Sequence, residues 1–255
     1  METKPYLFTY IIAYKHRADR IHNLKRVLEW LIGFTGIEII IIEQDRSPKL
    51  HTFSLRGVKH IYTKSDLPFN KAWAFNVGLK YSTTGTIVFG DCDIIMDAQE
   101  FINGLKSLQN FECVSPYNRV IDLNQNEIHL TIDQMKGVVR PGRGETDIQK
   151  ICLCGGIIMF RKDAIIKIAG WDQQFIGWGA EDDYESFKSK MFLNWTELSA
   201  NCYHLWHDRG VPDQKWYNRN LQLYNKLISF SKEDTIKYIN TTMNKLGFKN
   251  SYCDK

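Results

Sequence analysis

Four short segments hold most of the chemistry this chain could do: Phe69-Asn70-Lys71-Ala72, Asp91-Cys92-Asp93, Gly177-Trp178-Gly179-Ala180-Glu181-Asp182-Asp183 and His204-Leu205-Trp206-His207. Each is a weak signal alone. In that order they supply a phosphate contact, a metal carboxylate, a second acidic cluster and two imidazoles. The inventory suits transfer of a sugar from a metal-bound nucleotide diphosphate to an acceptor hydroxyl.

Asp91 and Asp93 follow an apolar run directly. In extended backbone, residues two apart share a side, and two carboxylates on one side repel unless a cation joins them. The competing reading is a solvated aspartate-rich turn. His204 and His207 are three apart, so their rings can converge from a turn or a helix; one core and one surface histidine is the alternative. A mixed carboxylate–imidazole set with open positions favours manganese over magnesium, with zinc as the competitor. In the third segment a large indole sits between glycines beside three consecutive acids. Helix-dipole complementarity accounts for one or two of those acids. A sugar-stacking tryptophan on a lid, next to a general base, accounts for the whole segment. Gly155-Gly156 upstream allows close approach of backbone to a sugar ring.

The elements that must position these groups alternate. Leu7 to Ala13 reads as a buried strand. Asp19 to Ile32 has helical spacing, with Ile21, Leu24, Val27, Leu28 and Leu31 on one stripe and Asp19 as N-cap. Ile37 to Ile42 is a second buried strand, Val58 to Tyr62 a third, Phe69 to Tyr81 a helix and Thr86 to Phe89 a fourth strand. This order predicts an α/β fold with a mostly parallel central sheet flanked by helices, which places ligands beyond the strands' carboxyl ends. Residues 118–150 show little apolar periodicity and include the flexible basic stretch Arg140-Pro141-Gly142-Arg143-Gly144; a loop of this length is either functional or disordered. Beyond it the pattern predicts a strand over 157–160, a short helix over 163–169, a helix over 181–191 and two C-terminal helices over 213–230 and 232–246. The division expected is a catalytic domain over 1–212 and a C-terminal helical extension, 213–255, packed on it.

With 255 residues, 44% hydrophobic and 24% charged, a sizeable core is available without a metal or disulfide staple. The net charge of +4 does not point to nucleic acid, and no basic face with interleaved aromatics is visible. No apolar run reaches the ~20 residues of a membrane span, and the first residues lack a signal-peptide layout. A cytoplasmic protein with reduced, mostly buried cysteines is the expectation. The basic residues Lys215, Arg219, Lys226, Lys232, Lys237, Lys245 and Lys249 form either a solvated helical face or a peripheral contact with an anionic surface, such as the inner face of a bacterial membrane.

Phe69 to Gly78 (FNKAWAFNVG) resembles the FNRAxxxNVG segment of the beta-1,4-galactosyltransferases. Asp91-Cys92-Asp93 resembles their DVD metal motif. Gly155-Gly156, Gly170-Trp171 and Gly177 to Asp183 resemble their GG…GF…GWGGEDDD region, and His204 to His207 stands where they carry Met-x-x-His or His-x-x-His. The similarity runs over about residues 7 to 209 in one order. The chain is also similar to bacterial family-2 glycosyltransferases of capsule synthesis, the chondroitin-polymerase type, which share the GT-A fold.

The resemblance implies a UDP-sugar donor, a divalent metal (Mn2+, with Mg2+ as alternative) and a glycan or glycoconjugate acceptor, in surface polysaccharide or glycoconjugate synthesis. It makes Asp93, His204 and His207 the metal ligands, with Asp91 near the ribose or the metal. Tyr14, Lys15 and Arg17 stand at the nucleotide-binding FRNR segment. Phe69 and Lys71 stand at the diphosphate, where lysine replaces an arginine and loses its bidentate fork. Glu43 and Asp45 end the second strand, where family-2 enzymes often place a uracil-binding acid. Asp182 becomes the catalytic base of an inverting displacement, with Gly155, Gly156, Trp178, Glu181 and Asp183 around the sugars. Ala180 in place of a glycine and Tyr184 in place of a third aspartate mark an altered acceptor side. The alternatives are a retaining enzyme like the polypeptide GalNAc-transferases and a catalytically dead carbohydrate-binding protein. The sequence leaves the donor sugar, the acceptor linkage and the oligomeric state open.

Overall fold

Runs of isoleucine and valine with no polar face need burial on both sides, and the chain meets that need with a twisted sheet between helices. In this computed structural model the described residues are 7–50, 57–144, 151–208, 210, 211, 213–243, 246 and 247. Four parallel strands form the body of the sheet: β1 (Phe8–Tyr14), β2 (Ile37–Asp45), β3 (Val58–Lys64) and β4 (Thr86–Gly90). Three more continue it on the β4 side: β8 (Ile157–Arg161), β6 (Cys113–Ser115) and β9 (Trp195–Glu197). The full order is β3-β2-β1-β4-β8-β6-β9, with β8 antiparallel to both its neighbours. A second, three-stranded sheet holds β5 (Ile94–Met96), β10 (Asn201–His204) and β7 (Arg119–Asp122), in the order β5-β10-β7.

One face of the large sheet buries α1 (Ile21–Leu31) through Leu24, Val27, Leu28 and Leu31, together with α3 (Ala98–Ser107) through Phe101. The other face buries α2 (Lys71–Tyr81), with Trp73, Phe75, Val77 and Leu79 packed among Ile11, Ile40, Phe89 and Trp171. The remaining helices are α4 (Ile132–Lys136), α5 (Lys162–Lys167), α6 (Glu181–Phe192), α7 (Gln214–Ile228) and α8 (Lys232–Met243). Phe175 and Tyr184 join Leu227 of α7 in a third apolar cluster, which seats α7 against α6.

Two glycines set these distances. A Cβ on Gly78 would overlap the Ile11 side chain, so α2 lies flush on β1 only because residue 78 has none. Gly90 does the same for the Tyr10 hydroxyl at the end of β4, one residue before the acidic triplet.

Several expectations change. α1 begins at Ile21 with Arg20 as its cap and no side-chain cap bond, because Asp19 is spent on Arg17, 3.0 Å away, and on the Asp208 N–H at 3.2 Å. The loop over 118–144 is not featureless: it contains β7 and α4, and Arg143 exchanges backbone hydrogen bonds with Val120. Residues 145–150 of that loop, and Lys245 and Lys249 of the basic series, lie outside the described residues. Of the remaining basic series, Arg219 lies 5.4 Å over the Trp216 ring and Lys237 pairs with Asp234 at 3.1 Å. The five described cysteines are free thiols, and four are buried.

Candidate metal and sugar-transfer site

Because β1, β2 and β4 are parallel, their carboxyl ends share one edge of the sheet, and the loops leaving that edge carry the polar groups. Asp91 to Asp93 turn out of β4 there. The turn sends the two carboxylates to different partners, rather than presenting them side by side as extended backbone would. Asp91 faces Lys71 at 3.7 Å, whereas Asp93 faces two histidines.

The small sheet brings those histidines in. β10 pairs antiparallel with β5, placing His204 opposite Ile94, and the Leu205 N–H donates to the Asp93 carbonyl at 2.7 Å. His204 therefore ends a strand and His207 sits in the loop that follows, not in the turn or helix that their spacing suggests. Their Nε2 atoms lie 3.8 and 3.3 Å from the Asp93 carboxylate, and one ligand atom from each of the three residues falls within 4.8 Å of the others. The other ring nitrogens are engaged: His204 Nδ1 lies 2.9 Å from the Asp122 carboxylate and His207 Nδ1 2.9 Å from the Asp208 carbonyl. Both rings thus turn Nε2 toward one point beside a buried carboxylate. This donor set of one oxygen and two imidazole nitrogens fits manganese or zinc better than magnesium.

Electrostatics in the cluster agree with a cation site. Burial would raise the Asp93 carboxyl, but His207, His204 and Arg20 outweigh it and hold the group well below the usual carboxylate range. The hydrogen bond to Asp93 lifts the His207 imidazole above its ordinary value. Arg20, absent from the sequence reading, reaches His207 Nε2 at 3.3 Å and Asp93 at 3.8 Å. An arginine one residue ahead of a helix carries no pattern that would single it out.

Beside the metal candidates lies a second charged cluster. Lys71 Nζ sits 2.7 Å from Asp182, 3.4 Å from Glu181 and 3.7 Å from Asp91. Burial alone would lower the lysine, but these three acids raise it well above its ordinary value. Three carboxylates thus surround one ammonium. Burial pushes the Asp182 carboxyl up to about 8, with Lys71 opposing and Glu181 and Asp91 adding to the rise.

The loop before Asp182 is built by asparagines. Asn70 caps α2 by accepting the Trp73 N–H and donates to the Gln173 carbonyl at 2.8 Å. Asn76 holds both the N–H and the carbonyl of Trp171, at 3.0 and 2.7 Å. Phe69 contributes its carbonyl, which accepts the Gly177 N–H at 2.8 Å. Trp178 is 64% exposed and stacks on Tyr217 of α7, with centroids 5.6 Å apart. Gly179 makes room: a Cβ there would meet the Tyr217 ring at 2.7 Å. Ala180, where the resemblance has glycine, takes a left-handed φ of 67°, a conformation that strains any residue with a Cβ. Gly155 lies against Asp182, and the carbonyl of Gly155 accepts the Tyr117 hydroxyl beneath it. Asp183 is exposed and accepts the Cys152 thiol at 2.9 Å.

The nucleotide-side candidates divide. Arg17 reaches the Asp208 carbonyl at 3.0 Å, next to the histidine loop, and Lys15 donates to the Leu67 carbonyl at 3.2 Å, on the chain leading to Lys71. Tyr14 is buried, with its hydroxyl 3.3 Å from His16. Glu43 is fully buried, and its oxygens are taken by the Lys49 N–H at 2.6 Å and by His60 at 2.9 Å. That carboxylate builds the loop after β2 instead of facing the cleft edge. Asp45 is half-buried and accepts the Arg46 N–H at 2.7 Å.

The fold is that of the GT-A glycosyltransferases. A family model described as the N-terminal domain of galactosyltransferase matches residues 146–189, the stretch with Gly155, Gly156, Trp178 and Asp182. No curated protein matches the sequence. Among solved structures, the catalytic domain of Drosophila beta-1,4-galactosyltransferase 7, in complex with xylobiose, is similar over 90% of this chain and 83% of that one, at 15% identity and a TM-score of 0.56. Staphylococcus aureus TarS 1–349, in complex with UDP-GlcNAc, is similar over 94% and 72%, at 14% identity and a TM-score of 0.58. GalNAc-T7 with UDP, GalNAc and Mn2+ is similar over 98% of this chain and 53% of that one, at 13% identity and a TM-score of 0.63. At such identities the likeness is one of fold.

Proposed function

We propose that the protein is a metal-dependent inverting glycosyltransferase that moves a hexose or N-acetylhexosamine from a UDP-sugar to a hydroxyl of a glycan acceptor. One observation carries the reading: a candidate metal group, Asp93, His204 and His207, stands next to a cluster of Lys71, Glu181 and Asp182, with Asp91 interacting with both Lys71 and Asp93. The Drosophila enzyme has also been captured with manganese, UDP-Gal and xylobiose, a combination that calls for such a pair of sites.

Asp93, His204 and His207 would hold the ion, which when bound supplies positive charge to the departing diphosphate. Lys71 would add a second positive charge from the protein side. Asp182, at the start of α6, takes the proton of the acceptor hydroxyl as the new bond forms. A base whose pKa lies near neutrality suits that task better than an ordinary aspartate. Trp178 offers an exposed aromatic face to a sugar ring, and the glycines around it allow the loop to adjust. Tyr14, Lys15, Arg17 and Asp45 belong to the nucleotide side of this reading.

Hydrolysis of a panel of UDP-sugars with manganese, with and without chelator, tests it. Chelator-sensitive release of UDP from one or a few donors is expected. Release that ignores the chelator sinks the metal, and none from any UDP-sugar sinks the donor class. The anomeric configuration of the product, read by NMR, decides between the inverting reading and a retaining one of the polypeptide GalNAc-transferase type. No described helix is long and apolar enough to cross a membrane. Action in the cytoplasm, on surface-polysaccharide or glycoconjugate precursors, is the companion proposal.

A further inference from the structure

The basic stretch over 140–144 has the look of a free loop in the sequence, yet it is strapped to β7. The Arg143 N–H donates to the Val120 carbonyl at 2.8 Å and its carbonyl accepts the Val120 N–H at 2.9 Å. Arg140 donates to the Asp122 carbonyl at 2.9 Å, and Arg119 donates to the Arg140 carbonyl at 2.9 Å. The strap ends in a fork: Arg143 Nε and its terminal nitrogen meet the two Asp122 oxygens at 2.9 and 3.0 Å. β7 and β10 run parallel with Asp122 paired to His204, so the same carboxylate lies beside the imidazole, 2.9 Å from Nδ1. The opposite ring nitrogen is the one that faces Asp93.

We infer that Asp122 is a positioning residue for the metal centre, and that Arg143 holds it in place. This rests on the metal reading above. An imidazole offers a metal only the nitrogen that carries no proton. A carboxylate on Nδ1 keeps the proton there, leaves the Nε2 lone pair toward Asp93, makes the ring a stronger donor and stops it from rotating. A free carboxylate beside a ligand could swing in and chelate the ion itself. The two-point grip of Arg143 opposes that swing, because both oxygens are engaged in one plane. The arrangement ties the segment after β7, which reads in the sequence as a flexible loop, to the geometry of one candidate metal ligand.

Two readouts independent of turnover test this on the full chain: Mn2+ affinity by titration calorimetry without donor, and the His204 tautomer by long-range proton–nitrogen NMR of the metal-free protein above the imidazole pKa. Wild type should carry its proton on Nδ1. Asp122→Ala should lose that preference and bind Mn2+ about 10–100-fold more weakly, the range usual for loss of such a partner. Arg143→Gln should weaken binding by a smaller factor, and it keeps the test open if Asp122→Ala does not fold. Mn2+ affinity of either folded variant equal to wild type, or a wild-type His204 protonated on Nε2, overturns the inference and leaves the metal centre standing. A wild-type chain that binds no Mn2+ overturns the metal centre, and this inference with it.

Discussion

At the scale of single residues, the proposed chemistry turns on Asp182 and Lys71. The lysine is 2.7 and 2.9 Å from the two Asp182 oxygens, which looks like a structural ion pair until the neighbours are included. Burial, with Glu181 and Asp91 adding negative charge around the same ammonium, pushes the Asp182 carboxyl up to about 8. A base works only when ionised, so kcat/KM should fall on the acid side of about pH 8, not near the usual aspartate value; a pH–rate profile of the transfer reaction measures this. Asp182→Asn should keep donor and metal binding and lose about 10²–10⁴-fold in transfer rate. Transfer at the wild-type rate would remove Asp182 from its role. Lys71→Ala should do the opposite at the donor, raising its KM while leaving Mn2+ affinity close to wild type, because Lys71 touches none of the three candidate ligands by any described contact.

Among the elements, α2 does more than cover the sheet. The two residues leading into it and its central Asn76 pin the loop that carries Trp178: Asn70 holds Gln173, Phe69 holds Gly177 and Asn76 holds both backbone groups of Trp171. α7 grips the same loop from the other side, through Asn220 on the Ile176 carbonyl at 3.0 Å and Tyr217 under Trp178. An offset aromatic pair contributes about 0.5–1.5 kcal/mol. Tyr217→Ala should therefore raise the acceptor KM by roughly two- to tenfold, with donor hydrolysis unchanged. Gly78→Ala acts elsewhere: its methyl runs into Ile11 between α2 and β1, and overpacking of this kind costs about 1–3 kcal/mol, readable as a lowered urea midpoint.

For the whole molecule, the candidate metal site joins two sheets. Asp93 leaves the large sheet, and His204 ends a strand of the small one. An ion that binds both favours the folded chain, by about 2.7 kcal/mol at a hundredfold excess over its dissociation constant. Adding manganese should raise the melting temperature, by about 2–4 °C for each kcal/mol in a domain of this size, and chelator should reverse it. A melting point indifferent to manganese would separate the two sheets energetically.

How much of this was legible in the chain depends on the range of the interactions involved. The four parallel strands and most of the helices are readable because burial on both faces demands unbroken apolar runs and one-sided burial demands a stripe, and both patterns are local. The short strands β5, β6, β9 and β10 have three or four residues each, too few to show a period, and they exist because other strands present open edges to them. Residue types marked the acidic triplet, the second acidic cluster and the histidine pair, and the resemblance to the galactosyltransferases singled out Asp93, His204, His207, Lys71 and Asp182. They could not reveal that Asp91 and Asp93 part company, that Glu43 is consumed by its own loop, or that Arg20, Asp122 and Arg143 stand around the metal ligands. Those outcomes depend on which backbone segments lie side by side, over separations from 6 residues for Lys49 on Glu43 to 187 for Arg20 on His207. The sequence by itself determined the kinds of element and the chemical inventory, because propensity and side-chain chemistry travel with each residue. Only the tertiary structure decided which groups meet, because pKa, ligation and hydrogen bonding follow from distances between residues remote in the chain.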